Sequence, residues 1–148
     1  MADVVSIHIA AQRGATPEPV ERVEAVAGAG LRGDRHFAQG AEPERHLTLI
    51  ESEELERLAA EHEIRLAPGE SRRQLTTRGV RLNPLVGKRF RVGEVECRGI
   101  ELCEPCAHLQ SLTYEGIMRA MVHRAGLNAE IVSGGEIAVG DPITALED

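Results

Sequence analysis

Short runs in which apolar and polar residues alternate recur along the chain, each bounded by glycine or proline. That period of two predicts strands rather than helices. Residues 4–10 (Val-Val-Ser-Ile-His-Ile-Ala) form the first run, and residues 20–27 the second, where Val20, Val23, Ala25 and Ala27 alternate imperfectly with charged positions. Residues 46–50 read as a short apolar strand, and residues 73–77 as a strand leading to a turn at Gly79. Residues 88–92 and 95–100 flank Gly93-Glu94, a pair suited to a tight hairpin with glycine in its first position. Two late strands, near residues 129–133 and 136–139, precede Gly140-Asp141-Pro142 and the start of a last strand. Helical spacing is rarer. Ser52 is a suitable N-cap, Glu53 and Glu54 suit a first turn, Leu55, Leu58 and Ala59 follow on one face, and Pro68-Gly69 closes the segment. A short helix is expected after Pro105 and another over residues 115–124. Many short strands with few helices predict one mainly β domain with helices over residues 1–148, an α+β fold that is closed or barrel-like.

Composition sharpens this picture at three points. Only Phe37, Phe90 and Tyr114 are aromatic, so Val, Leu, Ile and Ala must build the core. No apolar run reaches membrane-spanning length and the N-terminus lacks a basic-then-apolar signal pattern, so a cytoplasmic protein with no membrane partner is expected. A formal charge of −7 and the shortage of aromatic stacking platforms argue against nucleic acid as a partner. Charge is nonetheless uneven. Residues 71–93 hold Arg72, Arg73, Arg78, Arg81, Lys88, Arg89 and Arg91 and no acidic residue. An acidic chain that gathers arginine in one stretch is expected to bind a small anion there. Arg89 and Arg91 alternate with Phe90 and Val92, which suits the solvent face of a strand instead.

Gly28-Ala-Gly-Leu-Arg-Gly33 fits the G-x-G-x-x-G pattern of dinucleotide sites. That motif needs a following helix whose amides hold the pyrophosphate. Residues 34–45 lack an apolar stripe and are broken by Gly40 and Pro43, so a loop is expected and nicotinamide dinucleotide binding is rejected. The chemistry concentrates in Cys103-Glu-Pro-Cys106-Ala-His108. Three cysteines do not make a disulfide framework. Cys106, just after Pro105 and before the expected helix, is placed where helix amides stabilise a thiolate. A Cys-x-x-Cys redox pair is one alternative, and zinc held by Cys97, Cys103, Cys106 and His108 is another. Cys97, inside a strand, reads best as a buried apolar residue.

An ordered set of segments resembles the MOSC domain family, named for the C-terminal domain of molybdenum cofactor sulfurases. The segments are Gly30-Leu-Arg-Gly-Asp-Arg-His36, Arg45-His-Leu-Thr-Leu-Ile50, Pro68-Gly-Glu-Ser-Arg-Arg-Gln-Leu-Thr-Thr-Arg-Gly79, Leu85-Val-Gly-Lys-Arg-Phe-Arg-Val-Gly93, Leu102-Cys-Glu-Pro-Cys-Ala-His-Leu109 and residues 135–142. The resemblance implies a barrel-like β fold and binding of the molybdenum cofactor, molybdopterin, or a related sulfur-bearing anion. The family's characteristic cysteine, as molybdenum ligand or persulfide carrier, falls on Cys106. Its basic and polar motif falls on Arg72, Arg73 and Gln74, where asparagine is commoner than Gln74. Asp34, Arg35 and His36 would lie beside the same pocket, with Arg78 and His108 as further contacts. Thiolate sulfur suits soft ligation or sulfur transfer, and arginine forks suit a pterin phosphate. The implied activity is that of a molybdenum oxidoreductase acting on N-oxygenated compounds, served by a sulfur-donor or electron-donor protein. The rival is a non-catalytic adaptor that delivers sulfur or cofactor. With Lys88 as its single lysine and no room for an aminotransferase-like domain, the chain is expected to do no pyridoxal phosphate chemistry.

Overall fold

The computed structural model describes residues 2–105 and 116–146. Among these residues the strands are β1 (Asp3–Ile9), β2 (Glu18–Val20), β3 (Arg22–Val26), β4 (Gly30–Leu31), β5 (Leu47–Glu51), β6 (Leu75–Arg78), β7 (Arg89–Val92), β8 (Val95–Leu102), β9 (Leu127–Ser133), β10 (Gly135–Ala138) and β11 (Ile143–Ala145). Helix α1 (Ser52–His62) follows β5 directly, and α2 (Ile117–Met121) precedes β9. A large sheet runs β11-β7-β8-β9-β5-β6-β1-β2, and a small one β10-β3-β4. Only β5 and β6 pair in parallel, with α1 in the connection between them, as a parallel crossover requires. The large sheet curls until its ends approach. Val4 N–H donates to Asp141 O at 2.9 Å and Ile143 N–H to Ala2 O at 3.0 Å, without a continuous ladder. The fold is mainly β, sheet-dominated and barrel-like rather than a closed barrel.

Alternation in the strands sorts residues between two cores. Leu47, Leu49, Leu75, Phe90, Val92, Cys97, Leu127 and Ile131 face inward, where Val23, Ala25, Leu31 and Ile137 of the small sheet meet them. Ile50 points the other way and joins Leu55, Leu58, Leu66, Ile117 and Met121 under the two helices. Arg89 and Arg91 flank the buried Phe90 on β7 as the alternation predicts.

Several local expectations shift. The run 20–27 divides into β2 and β3. The strand expected at 73–77 begins at Leu75, because Arg73 and Gln74 are turned to other uses described below. Ser52 is the first helical residue rather than the cap: the chain passes from β5 into α1 through Glu51, whose carboxylate accepts the Leu82 N–H at 3.1 Å. The helix expected over 115–124 is confined to Ile117–Met121, since Gly116 (φ 88°) and His123 (φ 61°) are both left-handed. No helix follows the glycine-rich run 28–33, where Gly30 and Leu31 instead form β4. The helix expected just after Pro105 falls outside the described residues. No helix among the described residues is long and apolar enough to cross a membrane.

Candidate functional site

The inward faces of β9, β5, β6 and β1 are apolar, but their opposite faces carry polar residues at one common level. Asn128 registers with Thr48, and Leu49 with Leu75, which sets Thr48 beside Gln74. His8 N–H donates to Gln74 O at 2.8 Å. Asn128, Thr48, Gln74 and His8 therefore form a polar row across β9, β5, the residue just before β6, and β1. Further along the same face, the two helices cover Ile50. Where they end, a cavity of about 560 Å³ opens over the row, walled by Arg13, Asp34, Arg35, His36, Glu44, Arg45, Arg72, Arg73 and Cys103.

Gln74 and Asp34 hold this site together. Gln74 Oε1 accepts the Thr48 N–H at 2.9 Å, while Gln74 Nε2 donates to Asp34 Oδ2 at 2.8 Å. Asp34 also accepts the backbone N–H groups of Ala10 (3.0 Å) and His36 (3.1 Å). This buried carboxylate is thus engaged by three donors and fixes the turn that carries Arg35 and His36. Gly69 makes room rather than bonds. A Cβ there would come within 2.6 Å of His8 Cδ2, so glycine lets the 3-10 turn Pro68–Ser71 close over the imidazole. Arg72 ends that turn in a left-handed conformation (φ 63°) uncommon for a side chain of its size.

Electrostatically the cavity is short of negative charge. Arg13, Arg35 and Arg45 make no side-chain hydrogen bond or ion pair among the described residues. Elsewhere Arg22, Arg32, Arg57, Arg78, Arg81, Arg89 and Arg124 pair with glutamates, while Arg65, Arg91, Arg98 and Arg119 are scattered singly along the chain rather than gathered at one cavity. Burial, and then the charge of Arg35, depress the Arg72 guanidinium, with Asp34 opposing; its Nη2 donates to Ala15 O at 2.8 Å. Burial lowers the pKa of His36, helped by Arg35 and Arg45 and opposed by Asp34. Burial also lowers that of His8. Both shifts favour the neutral imidazole, so the arginines dominate the charge of the cavity wall.

The structure brings Asp34, Arg35, His36, Arg72, Arg73 and Gln74 to this cavity. It does not bring Arg78, which lies at the far end of β6 with its guanidinium on Glu56. The basic stretch 71–93 is therefore not one patch: only its first two arginines reach the cavity. The Arg73 fork is largely occupied, with Nε, Nη1 and Nη2 all donating to backbone carbonyls. Cys97 packs in the core, its thiol pushed up to about 12 by burial, and cannot join Cys103 in a zinc site. Cys106 and His108 lie outside the described residues. Reasoning from sequence missed His8, Arg13, Arg45, Thr48 and Asn128. A signal was present, for His8, Thr48 and Asn128 each interrupt an apolar pair (Ile7 and Ile9, Leu47 and Leu49, Leu127 and Ala129).

Similar folds occur in solved structures. The YuaD protein from Bacillus subtilis superposes with a TM-score of 0.79 at 17% identity, over 97% of this chain and 94% of that one. YiiM from Geobacillus stearothermophilus gives 0.81 at 16% identity, over 99% and 76% of the two chains. YiiM from Escherichia coli gives 0.69 at 20%, over 99% and 69%. No curated protein matches the sequence significantly. The family model of the MOSC domain matches residues 32–144, a span that contains the Asp34 turn, the polar row from Thr48 to Asn128 and the 103–105 segment, and the chain belongs to the MOSC domain family.

Proposed function

We propose that the cavity binds a molybdopterin-class cofactor or another sulfur-bearing anion, and that Cys106 serves beside it as molybdenum ligand or persulfide carrier. The observation that carries the reading is a set of three guanidiniums without a partner among the described residues, on Arg13, Arg35 and Arg45, around one cavity of a protein that is acidic as a whole. The donor set fits such a group: arginine forks for a phosphate, the polar row for a heterocycle's edge, and a cysteine segment at the wall for soft ligation. Arg35, Arg45 and Arg72 would hold the anionic end, Arg13 would add a fourth charge, and Asn128 and Thr48 would meet polar atoms at the floor. When bound, the cofactor supplies a redox-active molybdenum centre. His36, neutral and at the cavity wall, is suited to hold or release a proton there. Catalysis on N-oxygenated compounds is the reaction to assay, and it requires an electron-donor protein. Delivery of sulfur or cofactor to another protein is the non-catalytic form of the same reading.

The test is to purify the protein from cells with an intact cofactor pathway, then measure molybdenum and pterin fluorescence. Close to one pterin per chain, with metal lost in Cys106→Ser but protein stability retained, is the expected result. Reduction of an N-hydroxylated compound by the loaded protein marks a catalyst; loading without turnover marks a carrier. One tightly held zinc per chain, with unfolding on chelation, would defeat the proposal.

A further inference from the structure

Arg73 lies at the cavity yet is only 8% exposed, and its guanidinium is directed at the protein itself. Nε donates to Ala125 O at 2.8 Å and Nη1 to Ser71 O at 3.4 Å. Nη2 reaches both Cys103 O and Glu104 O at 3.3 Å. Four of the five N–H groups of the fork are thereby used on three separate segments. A lysine ammonium, a single point of charge, cannot bridge that spread of carbonyls. The same short stretch of chain is held from other directions. Cys103 N–H donates to Gly126 O at 2.8 Å. The Glu104 carboxylate receives the His123 backbone N–H at 2.6 Å and lies 2.5 Å from His123 Nδ1. The ladder between β8 and β9 ends at Leu102, opposite Leu127, so these bonds begin where sheet pairing stops.

We propose that Arg73 is a positioning residue rather than an anion ligand. It clamps the carbonyls of Cys103 and Glu104, which fixes the Cys103 thiol at the cavity wall and sets the direction in which the chain leaves through Pro105 toward Cys106. The arginine beside it, Arg72, faces the other way, toward Ala15 and the charge of Arg35. Two consecutive arginines of one motif thus divide the work: Arg72 faces the anion and Arg73 holds the sulfur-bearing segment. This division rests on the cavity being the working site, but its test needs no cofactor.

The experiment compares wild type with Arg73→Lys by amide hydrogen exchange and by the rates at which individual thiols are alkylated by iodoacetamide. Loss of the two hydrogen bonds from Nη2 should speed exchange of the Cys103 amide about tenfold or more and change the Cys103 alkylation rate several-fold. Cys97, sealed in the core, reports global opening and should stay unmodified. Parallel acceleration at Cys97, or exchange raised equally along β8, would reduce Arg73 to a general stabiliser and overturn the proposal; so would unchanged exchange at Cys103. Should Arg73→Lys fail to fold, NMR of the wild-type guanidinium decides instead. Resolved, slowly rotating Nη signals support the clamp, and a single averaged signal refutes it. Calorimetry with inorganic phosphate separates this proposal from the anion reading. Binding that survives Arg73→Lys but falls in Arg35→Ala supports the division of roles. Equal losses overturn it. Absence of phosphate binding in wild type counts against the anion cavity, while exchange and alkylation still decide the clamp.

Discussion

At the scale of single residues, what distinguishes the arginines of this protein is where their donors go. Arg35 and Arg45 line the cavity without a partner among the described residues, Arg73 directs its donors at carbonyls, and Arg78 lies on Glu56 well away from the cavity. Replacing Arg35 or Arg45 by Ala should weaken binding of inorganic phosphate by roughly one to two orders of magnitude, since a charge-assisted hydrogen bond contributes about 1.5–3 kcal/mol. Arg78→Ala should leave affinity unchanged, and titration calorimetry on the three variants checks both halves. Gln74 is another case of directed polarity. Its amide spans from the Thr48 N–H to the Asp34 carboxylate, and asparagine, one methylene shorter, would reach only one of them from the same backbone. Gln74→Ala leaves the Thr48 N–H without its acceptor and removes one of the three donors that hold Asp34. It should cost about 1–3 kcal/mol, read as a drop in the urea midpoint with an unchanged slope.

At the scale of elements, close approach of backbone to backbone fixes the geometry around the site. A Cβ on Gly99 would overlap the Leu85 carbonyl oxygen, and one on Gly126 the Leu49 carbonyl oxygen; Gly126 is also left-handed (φ 108°). Neither obstacle is the flexible tip of a side chain. Gly126→Ala should therefore cost roughly 3 kcal/mol or more, because strained backbone and overpacking add. Gly40→Ala, with an equally left-handed φ of 77° but open space, should cost only about 1 kcal/mol. Thermal melts of the two variants test the difference, and equal melting temperatures would remove the packing argument. Elements were readable from sequence where alternation was strong: β1, β5, the β7–β8 hairpin and β9 all fall within a few residues of the predicted runs. The start of β6 and the extent of α2 were not, because Arg73, Gln74 and His123 answer to partners far along the chain. The site was half legible. Its motif residues from Asp34 to His36 and from Arg72 to Gln74 converge on the cavity, but Arg13 and Arg45 are brought to it by loops from separate regions. The basic run to Arg91 suggested a contiguity that strand direction forbids.

At the scale of the whole molecule, five arginines gather with two half-buried histidines at one cavity of an acidic protein, and the histidines couple stability to pH. The imidazoles of His8 and His36 both titrate below their ordinary value of 6.5, chiefly through burial and, for His36, through Arg35 and Arg45 as well. Between the unfolded value and the lowered native ones, the unfolded chain binds more protons than the native protein. Their contribution is therefore present in full above pH 6.5 and is lost as pH falls through the native values. Glu51 works in the opposite sense at more acid pH. Burial raises its carboxyl above 4.5, so in the window just above that value protonation favours the native state. Urea unfolding at pH 7.5 and 5.5, at equal ionic strength, should show lower stability at the acid value. The double variant His8→Gln with His36→Gln should flatten that difference. Added sulfate should reduce it in part, since an anion among Arg35, Arg45 and Arg72 offsets the share of the His36 shift that Arg35 and Arg45 add to burial, and binding should then take up protons, measurable as a buffer-dependent heat in calorimetry. A stability that does not change between the two pH values would overturn the burial shifts of both histidines, and sulfate binding without proton uptake would show that His36 does not sense the charge of Arg35 and Arg45.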